Sequence, residues 1–295
     1  RQIMQKLPSI ADSECNVLIQ GPSGSGKELF ALMIHNLSPR RYGPYIRINC
    51  AALPATLLES ELFGYVKGAF TDAKKDKPGR FYLANGGTLL LDEISEMDVS
   101  LQVKLLRVLN DGEYQPLGAL KPLHTDARII AATNADLKAA IQEKRFREDL
   151  LYRINVVTID LPPLRDRVED LPLLLEHFMR KLSRKFRKPI DKVSPDVIAL
   201  LRKYPFPGNV RELENIIEHA FVMCQDEEIR REHLPDEVLA VCSADVQPAL
   251  SKASEKDLIL DALRRSGGNR ARAARELGVH RSTLWRKLKT LGLEH

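Results

Sequence analysis

Gly21-Pro22-Ser23-Gly24-Ser25-Gly26-Lys27-Glu28 is the stretch on which the reading of this chain turns. It follows a short β-type run, Asn16–Gln20, and opens a pattern of helical period. Glycines at this spacing let the backbone curl so that its N–H groups face an anion, and the N-terminus of the next helix adds positive potential. Lys27 is placed to reach the β- and γ-phosphates of a nucleoside triphosphate. The residue after this lysine is normally Ser or Thr, whose hydroxyl touches Mg²⁺; here it is Glu28. The candidate ATP-binding residues are Gly21, Pro22, Ser23, Gly24, Ser25, Gly26, Lys27, Glu28 and Leu29. The plainer alternative is a glycine turn with no ligand.

Outward from this loop, Thr88-Leu-Leu-Leu-Asp92-Glu93 is an apolar strand ending in two carboxylates. Asp92 is placed to hold Mg²⁺, directly or through water, and Glu93 to polarise an attacking water. Such a pair alone is often no more than a strand end; after a phosphate loop it reads as its catalytic complement. A third strand ends at Thr133-Asn134, where Asn134 could sense the γ-phosphate.

The remaining β-type runs are Tyr45–Asn49, Arg128–Thr133 and Val156–Asp160. Helical patterns separate them, such as Leu101, Leu105, Val108 and Leu109 behind an Asp98 cap. Apolar strands alternating with helices predict a parallel sheet covered on both faces, an α/β fold. After Leu161-Pro162-Pro163 the strand signals stop. Helices are expected at about 171–187, 195–204 and 209–224, with Pro195 at N1 behind Ser194 and a capping-box start at Asn209 and Glu212. The expected domains are an α/β ATPase unit over 1–162, a helical lid over 163–239, a linker over 240–253 and an all-α unit over 254–295.

The chain has 295 residues, of which 44% are apolar and 29% charged, which excludes fully disordered and collagen-like classes. No apolar run reaches the ~18 residues of a membrane span, so no membrane partner is expected. Cys15, Cys50, Cys224 and Cys242 are scattered without a CxxC pair, which fits reduced thiols and a cytoplasmic location better than a zinc site. The net charge of +5 is concentrated: residues 249–295 hold 11 Lys and Arg against 5 Asp and Glu. A basic segment of this kind is the footprint of a nucleic-acid binder, or else a solvated charged helix.

Within that segment, residues 269–289 read as helix, tight turn at Gly278, and helix. Ala273, Ala274, Leu277, Val279, Leu284 and Leu288 make the packed side. His280, Arg281, Ser282, Thr283, Arg286 and Lys287 remain for double-stranded DNA. Arg281 suits a guanine edge, and Arg286 and Lys287 suit phosphates. Trp285 fits core packing better than groove contact.

Several long motifs occur in one order: GPSGSGKE, RINCAAL, ESELFGYVKGAFTDA, GGTLLLDEI, AATN, FREDLLYRINV, LPPLRDR and PFPGNVRELEN. In these the chain closely resembles the bacterial enhancer-binding proteins, the activators of sigma-54 RNA polymerase, over essentially its whole length. The resemblance implies an AAA+ ATPase with a helical lid and a Fis-type helix-turn-helix domain, using ATP and Mg²⁺, and Glu28 then becomes a family mark. It implies that Asn49 is a switch holding Glu93 and that Asn134 is sensor I. Arg147 and Arg153 resemble arginine fingers reaching a neighbouring subunit's ATP, and Arg211 resembles sensor II. The plain alternative for the fingers is a surface ion pair with Glu148 or Asp149. Fingers in trans need an oligomer, and the family forms hexameric rings. A regulatory domain, such as a two-component receiver or a small-molecule sensor, is normally N-terminal in this family.

In the same family a protruding loop presses its GAFTGA motif on sigma-54. Here the loop reads Gly68-Ala69-Phe70-Thr71-Asp72-Ala73. Gly68, Ala69, Phe70 and Thr71 are the expected polymerase contacts, although Phe70 would otherwise be read as tucked into its own subunit. Asp72 replaces a glycine, which removes backbone freedom and adds a negative charge. It keeps open a second function: a DNA-binding regulator with the same fold that does not remodel polymerase. A third, an AAA+ machine of another class, is opposed by the helix-turn-helix and by the loop itself.

Overall fold

The computed structural model describes residues 2–244 and Ala273. In chain order the elements are α1 (Gln2–Asp12), β1 (Val17–Gln20), α2 (Lys27–Leu37), β2 (Tyr45–Asn49), α3 (Ala55–Phe63), β3 (Gly64–Tyr65), β4 (Lys77–Pro78) and α4 (Arg80–Leu83). Next come β5 (Thr88–Asp92), α5 (Val99–Asp111), β6 (Glu113–Tyr114), β7 (Leu123–His124), β8 (Arg128–Thr133), α6 (Leu137–Gln142), α7 (Glu148–Ile154) and β9 (Val157–Asp160). The chain continues with α8 (Leu171–Phe186), β10 (Lys192–Val193), α9 (Pro195–Leu201), α10 (Asn209–Met223), β11 (Glu228–Ile229) and α11 (Asp236–Ala244).

The five long strands form one parallel sheet in the order β2-β5-β8-β1-β9. Side chains alternate across it. Leu18, Leu89, Leu91, Ile129 and Ala131 face the layer made with α3, α5 and α7. Val17, Ile19, Leu90, Ile130, Ala132 and Ile159 face the layer made with α1 and α2. Two covered faces explain why β8 is buried at every position, whereas the edge strands β2 and β9 are only partly buried. Each fully buried Leu or Ile contributes about 1.5–3 kcal/mol of transfer free energy, so the uninterrupted apolar strands stabilise the sheet from both sides.

The α5 start is as read: the Asp98 side chain accepts from the Ser100 amide at 2.9 Å, and Gly112 ends the helix in the left-handed region. Helix α1 has no counterpart among the elements expected from the sequence. Arg128, opening β8 and almost fully buried, holds its C-terminal end by donating to the carbonyls of Ile10, Ala11 and Cys15 at 2.7, 2.7 and 3.0 Å.

By packing, the chain falls into two compact units. Residues Arg1–Lys181 and Pro205–Glu218 make one compact unit. The physical reason is that the segments around Arg167 and Asn209 bond to the 21–26 loop. Among the described residues, Leu182–Tyr204 and 219–244 make the other. There Lys188 donates to the carbonyls of Phe221, Val222 and Cys224 at the end of α10, and β10 pairs parallel with β11, a small strand pair in a segment read as all-helical.

The capping box expected at the start of α10 does not form. Asn209 has φ 54°, and its side chain turns away from the helix to accept from the Leu164 amide and donate to the Ser23 carbonyl. Glu212 accepts instead from the Gly208 amide at 2.7 Å.

Candidate functional site

The site lies at the carboxyl ends of the parallel strands, where open α/β sheets present their binding crevices. Gly21 N donates to the Thr133 carbonyl at 3.2 Å, which pins the start of the loop to the end of β8. Gly24 and Gly26 sit at φ 73° and 98°, conformations that a Cβ disfavours. A Cβ at Gly24 would also run into the Gly208 carbonyl. A cleft of about 720 Å³ opens over the loop, lined also by Asn49, Asp92, Glu93, Lys181, Arg211 and Glu214.

Lys27 is almost fully buried. Its ammonium donates to the carbonyls of Gly21 and Pro22 at 3.0 and 3.4 Å and lies 3.4 Å from Glu93 Oε1. Glu93 Oε2 accepts from the Asn134 amide at 3.1 Å. Glu93 itself has φ 51°, left-handed and uncommon for a side chain of this kind. Such strain costs on the order of 1–3 kcal/mol and persists where surrounding contacts fix it. Asp92 Oδ1 accepts from the Glu93 amide, and Oδ2 accepts from Asn49 Nδ2 at 3.3 Å. Asn49 Oδ1 accepts from the amides of Ala51 and Ala52. Asn49, expected on Glu93, therefore bonds Asp92 in this structure, since Glu93 is turned to Lys27 and Asn134. Burial, with Asp92 and Glu93 nearby, pushes the Cys50 thiol up to about 12. Burial and Asp92 push the Tyr45 hydroxyl to about 12 as well. Glu28 pairs with Arg47 at the rim.

Of the expected residues, Gly21–Leu29, Asn49, Asp92, Glu93, Asn134 and Arg211 gather in and around this cleft. Arg147 and Arg153 do not line it. Arg147 makes a two-pronged pair with Asp149 at 3.0 and 2.6 Å, which raises its pKa, and Arg153 donates to the Leu109 carbonyl at 3.0 Å. The 64–78 loop is a hairpin closed by β3 and β4. Phe70 is 43% exposed and packs edge-on against Tyr65 at 4.9 Å, so it is neither tucked in nor free of its own chain. Gly68, at φ 83°, is the left-handed residue of the 68–73 turn; Asp72 keeps negative φ, so the conformational cost expected of it does not arise here. His280, Arg281, Ser282, Thr283, Arg286 and Lys287 lie outside the described residues; Ala273, expected on the packed side, is helical and buried.

Residues 1–160 match the sigma-54 interaction domain, 165–249 the AAA+ ATPase lid domain, and 252–291 the bacterial regulatory protein, Fis family. The chain belongs to the sigma-54-dependent activators. Among curated relatives of this activator family it is 47% identical to the regulatory protein AtoC of Escherichia coli, covering 99% of this chain and 66% of AtoC. It is 45% identical to the transcriptional regulatory protein ZraR of Salmonella typhimurium, over 98% of this chain and 66% of that one. The chain thus spans about two thirds of the length of these curated relatives. NtrX from Brucella abortus, solved in complex with ADP, is similar at TM-score 0.75 and 35% identity, over 99% of this chain and 68% of NtrX. The same protein in complex with ATP gives TM-score 0.72 and 36% identity, over 99% and 67%.

Two residues at the site were not placed there from the sequence. Arg167 donates to the Ser25 carbonyl at 2.6 Å, and Asn209 donates to Ser23 at 2.9 Å. Both lie inside motifs that carried the resemblance, LPPLRDR and PFPGNVRELEN; Arg167 had no role assigned to it, and Asn209 was read as a helix cap rather than as a partner of the loop. Among the described residues no helix is long and apolar enough to cross a membrane, and no cluster of three or more His, Cys, Asp or Glu could hold a metal by itself.

Proposed function

We propose that the chain is the ATP-hydrolysing, DNA-binding core of a cytoplasmic activator that remodels sigma-54 RNA polymerase holoenzyme to the open promoter complex. The observation that carries this reading is the meeting of Lys27, Asp92 and Glu93 over the curled loop. ATP is the substrate: loop amides and the α2 N-terminus receive its phosphates, and Lys27 adds a full positive charge. Mg²⁺ commonly binds through one or two carboxylates together with substrate phosphates, so the lack of an all-protein cage fits it. Each Asp92 oxygen accepts one hydrogen bond and keeps a lone pair for that ion. When bound, Mg²⁺ supplies charge neutralisation at the phosphate oxygens. Glu93, with one oxygen fixed by the Asn134 amide, orients and polarises the attacking water. Arg211 reaches the cleft from α10.

Arg147 and Arg153 act in trans on a neighbour's ATP in a hexameric ring. Arg147 exchanges its Asp149 partner for γ-oxygens across the interface. The hairpin tip, with Gly68, Ala69, Phe70 and Thr71, transmits the cycle to sigma-54. The C-terminal helices, through His280, Arg281, Ser282, Thr283, Arg286 and Lys287, bind an upstream double-stranded site. In vitro transcription from a sigma-54 promoter tests this. ATP-dependent open complexes are expected with Asp72 as it stands, and with Asp72→Gly in parallel. ATP hydrolysis without promoter opening in the unmodified chain would overturn the reading in favour of a regulator that does not remodel polymerase.

A further inference from the structure

A phosphate-binding loop works by aiming its N–H groups inward, and each peptide that does so must aim its carbonyl outward. Outward carbonyls need donors of their own. Here every carbonyl from Gly21 to Gly26 has one. Lys27 takes Gly21 and Pro22, and the Phe30 amide takes Gly26. The three between are held from outside by two distant segments. Asn209 Nδ2 donates to Ser23 at 2.9 Å, the Val210 amide to Gly24 at 2.9 Å, and Arg167 to Ser25 at 2.6 Å.

These donors are themselves fixed. Asn209 is 2% exposed, and its other amide atom accepts from the Leu164 amide at 2.9 Å, so one carboxamide ties three segments together. Its left-handed φ of 54° is one that Asn tolerates better than most residues. Arg167 sits at a kink with φ −139° and ψ 43° in a short 3-10 helix, Leu164–Asp170. Burial draws its pKa below the ordinary guanidinium value, against the charge of Asp170. At Gly24 the loop approaches Gly208 so closely that no side chain fits between them. The loop therefore cannot shift without breaking the clamp, and the clamp cannot shift without turning loop peptides.

We propose that Asn209 and Arg167 are positioning residues that hold the outward carbonyls of the phosphate loop, so that phosphate binding and the placement of the 164–170 and 207–211 segments form one equilibrium. This rests on the ATP-binding reading above. Neither residue lines the cleft; they act through Ser23 and Ser25. The clamp gives the segment that carries Arg211 a direct mechanical link to the occupancy of the loop.

The test uses the full 295-residue chain and N-methylanthraniloyl-ADP as a fluorescent probe. Asn209→Asp keeps size and the acceptor to Leu164 but loses the donor to Ser23. Arg167→Met loses the donor to Ser25, and Arg167→Lys restores a cationic one. The expected result is a Kd raised about tenfold in N209D and in R167M, with most of the loss recovered in R167K, as for the removal of a hydrogen bond that holds a binding loop. A merely structural role would lower the melting temperature without nucleotide and leave Kd of the folded protein unchanged; that result overturns the proposal. In the unmodified chain, hydrogen exchange of the Val210 amide is expected to slow when ADP binds, and unchanged exchange there also overturns it. Lys27→Ala separates the two readings. If it binds the probe as well as the unmodified chain, the ATP site itself is wrong, whereas loss in Lys27→Ala with full binding in N209D and R167M defeats only the clamp.

Discussion

At the scale of single residues, charge and burial decide what each group can do. Glu93 is held in a strained backbone conformation with one oxygen fixed and the other 3.4 Å from Lys27. Glu93→Gln keeps the shape and removes the base. Nucleotide binding is expected to survive while steady-state phosphate release falls about 10²–10⁴-fold, and retained turnover would remove Glu93 from its role. His35 is buried with Nδ1 3.0 Å from Thr88 Oγ1. Burial first, then the Arg128 charge, holds its pKa below the ordinary 6.5. The unfolded chain therefore binds the proton more readily. His35 contributes no pH dependence above about 6.5, and stability falls as pH drops below it toward the folded value. Melting temperature against pH should show that slope, and His35→Asn should flatten it; an equal slope in the variant would put its source elsewhere.

At the scale of elements, the hairpin and the loops are where the proposed coupling can be tested. The Phe70 ring packs edge-on against Tyr65 and is 43% exposed, and the Val66 amide of the same hairpin donates to the Leu117 carbonyl of the β6–β7 connection. Phe70→Ala is expected to leave ATP hydrolysis within about twofold and to abolish open-complex formation on a sigma-54 promoter, since surface changes away from a site perturb stability little. Gly24→Ala should act in the opposite sense. With φ 73° and a wall of Gly208 backbone, it is expected to lose nucleotide binding by more than tenfold in a fluorescence titration. The strands, the α5 cap and the phosphate loop were legible because their signals are local: apolar runs, an Asp at the helix start and glycine spacing. Helix α1 was not, because an Arg on β8 holds its C-terminal end from more than a hundred residues away in sequence.

At the scale of the whole molecule, the question is how a site becomes complete. Arg147 spends its guanidinium on Asp149 within its own chain and does not line the cleft. In a ring, Arg147→Ala and Lys27→Ala would damage different halves of a shared site. Each alone is expected to lose most ATPase activity, for a finger about 10³–10⁵-fold, while mixed oligomers recover part of it. Failure of the mixture to recover would count against fingers in trans.

The amino-acid order alone determined the parallel α/β plan, the phosphate loop, the Asp92-Glu93 pair and the basic C-terminal segment. Each follows from periodicity, spacing or charge within a few residues of itself. Only the tertiary structure decided that Asn49 bonds Asp92, that Asp72 avoids a left-handed turn, and that Arg167 and Asn209 grip the loop from outside. Those outcomes depend on which polar groups the folded chain brings within reach of one another, and on the backbone angles that packing allows. Neither is written in the spacing of residues along the chain.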